Sequence, residues 1–324
     1  MENQRVDVVG VGNAIVDVIS QATEEFLDAQ GLDKGSMALI DQTRALELYD
    51  LVGDSIKASG GSAANTMAGV ASFGGSATYL GKVADDDLGE FFASDMQSMG
   101  VQFSQKPPVD GPPTGRSLIL VTPDAQRTMN TFLGVSSLLE PDDVDPEKVT
   151  PGKLLFCEGY LWDMPSAKAA IRKAMDVAKQ AGNQVALTLS DSFCVQRHHQ
   201  DFLSLVDGPV DVLFANEAEL AALYGVSVED AVEIVRKKVG LACLTQGKKG
   251  SILVTADEAV RIEAEEIAPV IDTTGAGDQY AAGVLYGLAR GLELPQVGRL
   301  GSFAAAEVIS HIGPRPHQPL SNFL

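Results

Sequence analysis

The chain has 324 residues, enough for one large or two modest domains, because about 100–200 residues per domain is usual. Hydrophobic residues make up 45% of it, so a sizeable core is available. Its 44 acidic and 24 basic residues give a formal net charge of −20, which argues against nucleic acid or an anionic membrane as a partner, since either needs a basic face.

Cysteine and histidine form no recognisable metal or disulfide pattern. The three cysteines are scattered, and the four histidines include no HExxH motif. The sequence has no N-terminal signal pattern and no apolar run of about 18 residues. We therefore expect a soluble, cytoplasmic protein that contacts neither a membrane nor nucleic acid.

The first hundred residues predict strands that alternate with glycine turns and helices. Residues 5–12 form a buried strand that runs into a Gly-Asn turn. The third glycine of a GxGxxG fingerprint is missing, because Ile15 stands in its place, and residues 15–19 alternate as a second strand instead of opening a helix. A NAD-dependent dehydrogenase is therefore disfavoured. The other elements predicted here are a Gly-Gly-Ser turn leading into an Ala-rich helix (60–73), a strand (77–81) and a helix (87–99).

The rest of the chain predicts a hairpin and then a regular α/β alternation. A Pro- and Gly-rich loop at 106–115 precedes the hairpin strands 114–121 and 127–132, and the acidic stretch 140–148 predicts a solvated surface turn. Strands then alternate with helices of about 8–15 residues, which favours a doubly wound, mostly parallel sheet flanked by helices. The predicted elements are strands at 154–158, 185–190, 212–215, 241–245 and 251–255, and helices at 166–181, at 217–223, from 278 and near 295.

The strongest chemical signal is the stretch DTTGAGD at 272–278. Its glycines let consecutive N–H groups face one point, and the helical pattern that follows places the turn at a helix N-terminus, where an anion is favoured. Asp278 is either a plain N-cap or, as we favour, a base that accepts a hydroxyl proton. The amides of Gly275, Ala276 and Gly277 would then neutralise charge on a transferred phosphoryl group.

Two further motifs follow predicted strands, at the sheet edge where α/β proteins bind ligands. Asn216 and Glu219 are either a helix cap with a capping-box partner or the organisers of a hydrated Mg²⁺ and the phosphates. The segment TQGKKG at 245–250 is either a hairpin turn or a nucleotide site. In the second reading, its ATP-binding residues are Thr245, Gly247, Lys248 and Gly250. It is not a Walker A loop.

The segment GGSAAN at 60–65 and the nearby Asp17 indicate an acceptor site. A double glycine, Gly60 and Gly61, lets a bound polyol approach the main chain, and Asn65 both donates and accepts hydrogen bonds. Asp17 lies in an apolar strand, where an unpartnered carboxylate is costly to bury. It is either a strand-end carboxylate facing solvent or the partner of sugar hydroxyls.

Taken together, these motifs resemble the ribokinase-like (PfkB-type) sugar and nucleoside kinases. The GGSAAN turn with the run GKVADDDLG at 81–89 resembles the N-terminal signature of the family, although the family usually has Gly-Asp-Asp where this chain has Ala-Asp-Asp. DTTGAGD matches the C-terminal signature, and Asn216-x-x-Glu219 matches the NxxE motif. In this order, over most of the chain, the combination is highly specific.

The resemblance implies roles for individual residues. The family's GAGD turn is the anion hole and its aspartate the catalytic base, which puts those roles on 275–277 and on Asp278, with Glu219 acting on Mg²⁺ through water. In several members K⁺ supports the anion hole, and the matching residues here are Asp272, Thr274, His311 and Gly313. The family also implies a small β-sheet lid. We expect lid segments at about 13–45 and 106–133, inserted in a large domain formed by 1–12, 46–105 and 134–324.

Within the family, GNAIVD at 12–17 resembles the adenosine kinase branch, in which the aspartate binds ribose hydroxyls. Tyr160, Met129 and Leu133 are candidates for a wall against an adenine ring. The expected acceptor-binding residues are Asn13, Asp17, Gly60, Gly61, Asn65, Met129 and Tyr160.

We therefore expect an ATP- and Mg²⁺-dependent kinase, a monomer or homodimer, that converts adenosine to AMP. The alternative in the same class is a ribose, fructose or keto-deoxy-gluconate kinase. The alternative in another class is a non-catalytic nucleotide-binding regulatory protein, against which the intact Asp278 argues.

Overall fold

The computed structural model of the protein describes residues 5–103, 110–124 and 126–324. The strands are β1 Val6–Val11, β2 Ile15–Gln21, β3 Met37–Leu39, β4 Ile56–Gly60, β5 Ala77–Leu80, β6 Val101–Phe103, β7 Gly115–Val121, β8 Arg127–Phe132, β9 Gly152–Glu158, β10 Gln184–Thr188, β11 Val212–Asn216, β12 Leu241–Thr245, β13 Ser251–Val254 and β14 Ala259–Ile262. The helices are α1 Glu24–Ala29, α2 Gln42–Leu51, α3 Ser62–Ser72, α4 Asp87–Ser98, α5 Pro146–Val149, α6 Pro165–Gln180, α7 Ser192–Arg197, α8 His199–Val206, α9 Glu217–Tyr224, α10 Val228–Val235, α11 Ala276–Ala289 and α12 Leu294–Val308.

Nine strands form the large sheet in the order β14-β13-β12-β11-β10-β9-β1-β5-β6. From β12 to β6 all neighbours are parallel, and β13 and β14 continue the sheet as antiparallel strands. Parallel strands are buried on both faces, which explains apolar runs such as Leu154–Cys157. The predicted doubly wound, mostly parallel sheet is therefore confirmed.

Helices cover both faces of this sheet, so the protein has two main cores. One core packs α6, α8, α9 and α10 against the sheet and includes the fully buried Trp162 and Phe202. The other packs α3, α4, α11 and α12 against the opposite face and continues into Val16, Val18 and Leu118 of the small sheet. The small sheet is thus joined to the large one through a continuous apolar core.

The small sheet has the strand order β3-β8-β7-β2-β4. The predicted hairpin is confirmed, because β7 and β8 pair antiparallel. The sheet also contains β4, which the sequence patterns do not predict; its outer end is polar or exposed, with Ile56 72% exposed. The division into a lid and a large domain stays a prediction. Part of the predicted 106–115 loop lies outside the described residues.

Three local predictions differ from the structure. The helix predicted from Asp278 begins two residues earlier, at Ala276, with Gly275 as its left-handed N-cap (φ 79°). Asp278 is therefore not an N-cap. The acidic stretch 140–148 is not a plain solvated turn, because Asp143 pairs with the buried Lys82 (Oδ2 to Nζ, 2.7 Å). Several short helices, among them α1, α7 and α10, were not predicted.

Over the described residues, no helix has both the length and the apolar content that crossing a bilayer requires.

Candidate active site

A cavity of about 780 Å³ lies between the small sheet and the carboxyl ends of four strands of the large sheet. These strands end at Glu158, Thr188, Asn216 and Thr245, which all line it, as expected where parallel strands share one edge. The predicted site residues that line the cavity are Asn13, Asp17, Gly61, Asn65, Met129, Leu133, Tyr160, Asn216, Glu219, Thr245, Thr274, Gly275, Ala276, Gly277 and Asp278. The predicted residues outside its lining are Gly60, Gly247, Lys248, Gly250, Asp272, His311 and Gly313.

The glycine turn at 272–278 is shaped by contacts with the C-terminal loop. At Gly275 a side chain would meet the backbone of Pro314 at 2.6 Å, so only glycine fits this left-handed position. A side chain at Gly277 would meet no atom within 4 Å, which leaves room for a ligand. The first N–H groups of a helix have no partner within it. The N–H group of Ala276 donates a hydrogen bond to the carbonyl oxygen of Thr273, at 3.2 Å.

Asp278 faces the cavity as the third residue of α11. The Ser62 hydroxyl donates to its Oδ1 at 2.7 Å, and the Asn65 amide donates to its Oδ2 at 2.9 Å. Burial raises the pKa of Asp278 above its ordinary value, although these two hydrogen bonds and Arg315 oppose that rise. A positioned carboxylate with a raised pKa is a suitable base for a hydroxyl proton.

Asp17 is buried, but its carboxylate accepts no hydrogen bond from the residues that the structure describes. Burial raises the pKa of Asp17 to about 6, with Arg315 and Arg127 acting against the rise and Asp278 adding to it. Gly60 makes room for it, because a side chain there would meet the carboxyl group at 2.7 Å. Gly60 is therefore explained by packing against Asp17, and its contact with an acceptor stays a prediction.

Glu158 was not among the predicted site residues, although a carboxylate that ends an apolar strand is a signal for one. It is fully buried. Its Oε1 accepts from the backbone N and the Nδ2 of Asn13 (2.7 and 2.9 Å), and its Oε2 accepts from the backbone N of Ala63 (2.8 Å). Glu158 thus ties the Gly-Asn turn to the start of α3. Both the Asn13 and the Asn65 amide have protein partners. Their predicted contacts with an acceptor stay a prediction.

An apolar wall lies beside Asp17, mostly on the same small sheet. Besides Met129, Leu133 and Tyr160, it is formed by Ile15, Met37, Leu39 and Ile119. Met37 and Leu39 are 52% and 58% exposed, so this wall still has apolar surface to cover. The ring of Tyr160 is held in place, because its hydroxyl donates a hydrogen bond to the carbonyl oxygen of Ser190 at 3.2 Å.

Asn216 and Glu219 form the capping box that one reading predicted. The side-chain oxygen of Asn216 accepts from the Glu219 backbone N, and Glu219 Oε2 accepts from the Asn216 backbone N, both at 3.0 Å. Burial raises the pKa of Glu219 to about 7. Both residues also line the cavity, so their role toward Mg²⁺ and the phosphates stays a prediction.

The 245–250 segment is the hairpin turn between β12 and β13. Gly247 and Lys248 are exposed beyond the end of β12. Gly250 is required by the turn, because a side chain there would meet the carbonyl oxygen of Ile262 at 1.9 Å. Thr245 alone of this segment lines the cavity.

Asp272 is bound by protein groups. It accepts from the Thr274 hydroxyl (2.7 Å) and from the Gly313 backbone N (2.9 Å), and it pairs with Arg127 of the small sheet (2.8 Å). Burial acts to raise its pKa, but these partners lower the pKa of Asp272 below its ordinary value. The ring of His311 stacks on the ring of His317, with 3.5 Å between the ring centres. The K⁺ site therefore stays a prediction.

The cavity is acidic. Its carboxylates are Asp17, Glu158, Asp163, Asp191, Glu219 and Asp278, and its described lining contains one guanidinium group, that of Arg197. Arg197 is already paired with Asp163. A polyphosphate would be repelled here unless a cation accompanied it. Among the described residues no three metal-ligating side chains are clustered, so a cation here would keep several waters and use few carboxylates such as Glu219, as Mg²⁺ does.

Comparison with known proteins gives one consistent family. The model of the pfkB family carbohydrate kinases matches residues 36–320. The solved adenosine kinase from Sinorhizobium meliloti is 48% identical, with 98% of each chain covered and a TM-score of 0.90. A probable sugar kinase from Rhizobium etli CFN 42 is 45% identical, with 99% of this chain and 98% of that chain covered and a TM-score of 0.91. The 5-dehydro-2-deoxygluconokinase of Shouchella clausii is 28% identical, covering 95% of this chain and 91% of its own length.

Proposed function

The chain belongs to the pfkB family of carbohydrate kinases, and on that premise we propose that it transfers the γ-phosphoryl group of ATP to the 5′-hydroxyl of adenosine. Family membership makes it an ATP-dependent kinase that acts on an alcohol group of a sugar or nucleoside. The choice of adenosine is the proposal. It is supported by the 48% identical adenosine kinase from Sinorhizobium meliloti.

One structural observation carries the choice of acceptor: a buried carboxylate that accepts no hydrogen bond from the described residues lies beside an apolar wall in the same cavity. Asp17 is suited to accept hydrogen bonds from two vicinal ribose hydroxyls. The wall around Leu39, Met129 and Tyr160 is suited to cover a flat purine ring. A nucleoside presents both surfaces at once, whereas a free sugar would leave the wall uncovered.

In the proposed reaction, Asp278 accepts the proton of the 5′-hydroxyl as its oxygen forms a bond to the γ-phosphorus. The bond from that phosphorus to the β–γ bridging oxygen breaks, and ADP leaves with the electron pair. Ser62 and Asn65 orient the Asp278 carboxylate. The amides of the 275–277 turn stabilise the negative charge on the transferred group.

Mg²⁺ would be held through water by Glu219 and Asn216, and when bound it would neutralise phosphate charge. Thr245, Gly247, Lys248 and Gly250 are proposed to border ATP. The small sheet, which carries the apolar wall, is proposed to act as a lid that excludes water during transfer.

A sugar or sugar-acid kinase is the second candidate. It is favoured by the relatives that are described as a probable sugar kinase and as a 5-dehydro-2-deoxygluconokinase.

ADP release from ATP tests the proposal, with adenosine, ribose, fructose and 5-dehydro-2-deoxygluconate as acceptors. We expect the highest kcat/KM with adenosine. A higher value with a sugar would overturn adenosine as the acceptor and leave the kinase assignment intact. ATP binding without turnover of any acceptor would favour the regulatory alternative.

A further inference from the structure

We propose that Arg315 is a positioning residue of the reaction, which orients Asn65 toward Asp278 and supplies a cation beside the catalytic carboxylate. The inference rests on the proposed function, because it takes Asp278 as the base. Arg315 lies outside every motif that the sequence offers, in the loop that follows α12. Nor does it line the cavity, so it acts through other residues.

The orientation of Asn65 depends on Arg315. Arg315 Nε donates to Asn65 Oδ1 at 2.8 Å, and Asn65 Nδ2 donates to Asp278 Oδ2 at 2.9 Å. A carboxamide has one accepting and one donating end, and a guanidinium group only donates. A flipped Asn65 would set its oxygen against the carboxylate and its NH₂ group against Arg315. Arg315 therefore selects the amide orientation that donates to the base.

Arg315 is itself held in place by hydrogen bonds to Ser59. Its Nη2 donates to the carbonyl oxygen of Ser59 and to the Ser59 hydroxyl, the latter at 3.1 Å. Asp95 in turn accepts from the Ser59 backbone N (2.9 Å) and hydroxyl (2.6 Å). A chain of hydrogen bonds thus runs from Asp95 on α4 to Asp278 on α11, and a side chain held at this many points is preorganised.

Arg315 also sets the charge around the base. Three groups face Asp278 across the cavity, the carboxylates of Asp17 on β2 and Glu158 on β9 and the Tyr160 hydroxyl, and the Asp278 charge acts to raise the pKa of each. Burial raises the pKa of Asp278, and Arg315 lowers it. The charges facing Arg315 itself are those of Asp95, Asp17 and Asp278, with the Tyr79 hydroxyl beside them. Without this cation, Asp278 would retain its proton to higher pH and be a base over a narrower range.

The test is the pH profile of kcat for Arg315→Gln and Arg315→Lys. We expect Arg315→Gln to lower kcat about tenfold at high pH, as for the loss of one charge-assisted hydrogen bond, and to move the acid limb to higher pH. Arg315→Lys keeps the charge without the planar fork, so its acid limb should stay near that of the unmodified enzyme. If the glutamine variant does not fold, Arg315→Lys still tests the inference. Arg290→Gln is the matched control, since Arg290 pairs with Asp7, away from the cavity.

The Asn65→Ala background separates the two contributions. There, Arg315→Gln should no longer lower kcat at high pH, because no amide remains to orient, whereas the shift of the acid limb should persist. Asp278→Asn is measured in parallel. If that variant is nearly inactive while Arg315→Gln has an unchanged profile, the inference is overturned and the proposed function stands. If Asp278→Asn is fully active, the proposed mechanism fails first.

Discussion

The two walls of the cavity hold their side chains in different ways. On the large-sheet side, Asp278 and Glu158 are buried and tied by hydrogen bonds to residues of several elements. On the small-sheet side, Met37 and Leu39 project into the cavity with more than half of each residue exposed.

In the proposed function, this difference separates chemistry from recognition. A base and an anion hole must be held in one geometry, which requires a hydrogen-bonded network. An apolar wall requires shape and area only, and the ligand itself completes its packing. Substitutions in the network should therefore change kcat or stability, and substitutions in the wall should change the KM of the acceptor.

The largest expected effect is that of Asp278→Asn on the network side. Asparagine keeps the size of the side chain but is not a base, so kcat should fall by about 10²–10⁴-fold. ATP affinity should hold or improve, because a carboxylate near the phosphates is removed. The measurements are kcat, the Kd of ATP and the Tm. Near-normal kcat in a folded variant would remove Asp278 from the mechanism.

Asp17→Asn tests the buried carboxylate on the small-sheet side of the cavity. It should lower kcat/KM for adenosine by about 10²-fold, and 2′-deoxyadenosine should already be a poor acceptor of the unmodified enzyme. Because the pKa of Asp17 is raised to about 6, its carboxylate becomes protonated below that pH and loses acceptor capacity. The KM of adenosine should therefore rise as the pH falls through 6, and Asp17→Asn should not show this rise. Equal turnover of the deoxy compound would contradict the assignment.

Glu158→Gln should weaken the hydrogen-bonded network and so lower the free energy of unfolding. The glutamine NH₂ group cannot accept from the backbone N–H of Ala63, which leaves a buried donor unpaired at a cost of about 1–3 kcal/mol. The free energy of unfolding from urea titration measures this, with Gln184→Ala at an exposed position as control. A loss no larger than that of the control would show that Glu158 does not hold the Gly-Asn turn.

The smallest effect should come from the wall. Leu39→Ala should raise the KM of adenosine by about 3- to 10-fold, since less apolar area is covered on binding, and leave kcat and the KM of ATP unchanged. Leu51→Ala is the matched control, because Leu51 is 53% exposed and lies outside the cavity lining. Equal KM values in the two variants would argue against a purine at this wall.

The sequence predicted the parts of the site that depend on local geometry. A glycine turn followed by a helical pattern predicted the turn at 272–278 and the helix after it, and apolar runs between helices predicted the parallel sheet. It also predicted the Asn216–Glu219 capping box, which involves residues three apart. Short or exposed elements such as β4 and α1 were missed, because few of their residues are buried.

By itself, the sequence determined the family, the sheet and the residue proposed as the base, since each is encoded in contiguous stretches. Only the tertiary structure decided which distant residues hold that base and its neighbours. Asn65 and Arg315 are 250 positions apart, and Asn13 and Glu158 are 145 positions apart. Contacts between such positions arise when separate strands and loops pack on one core, and no spacing within a single sequence records them.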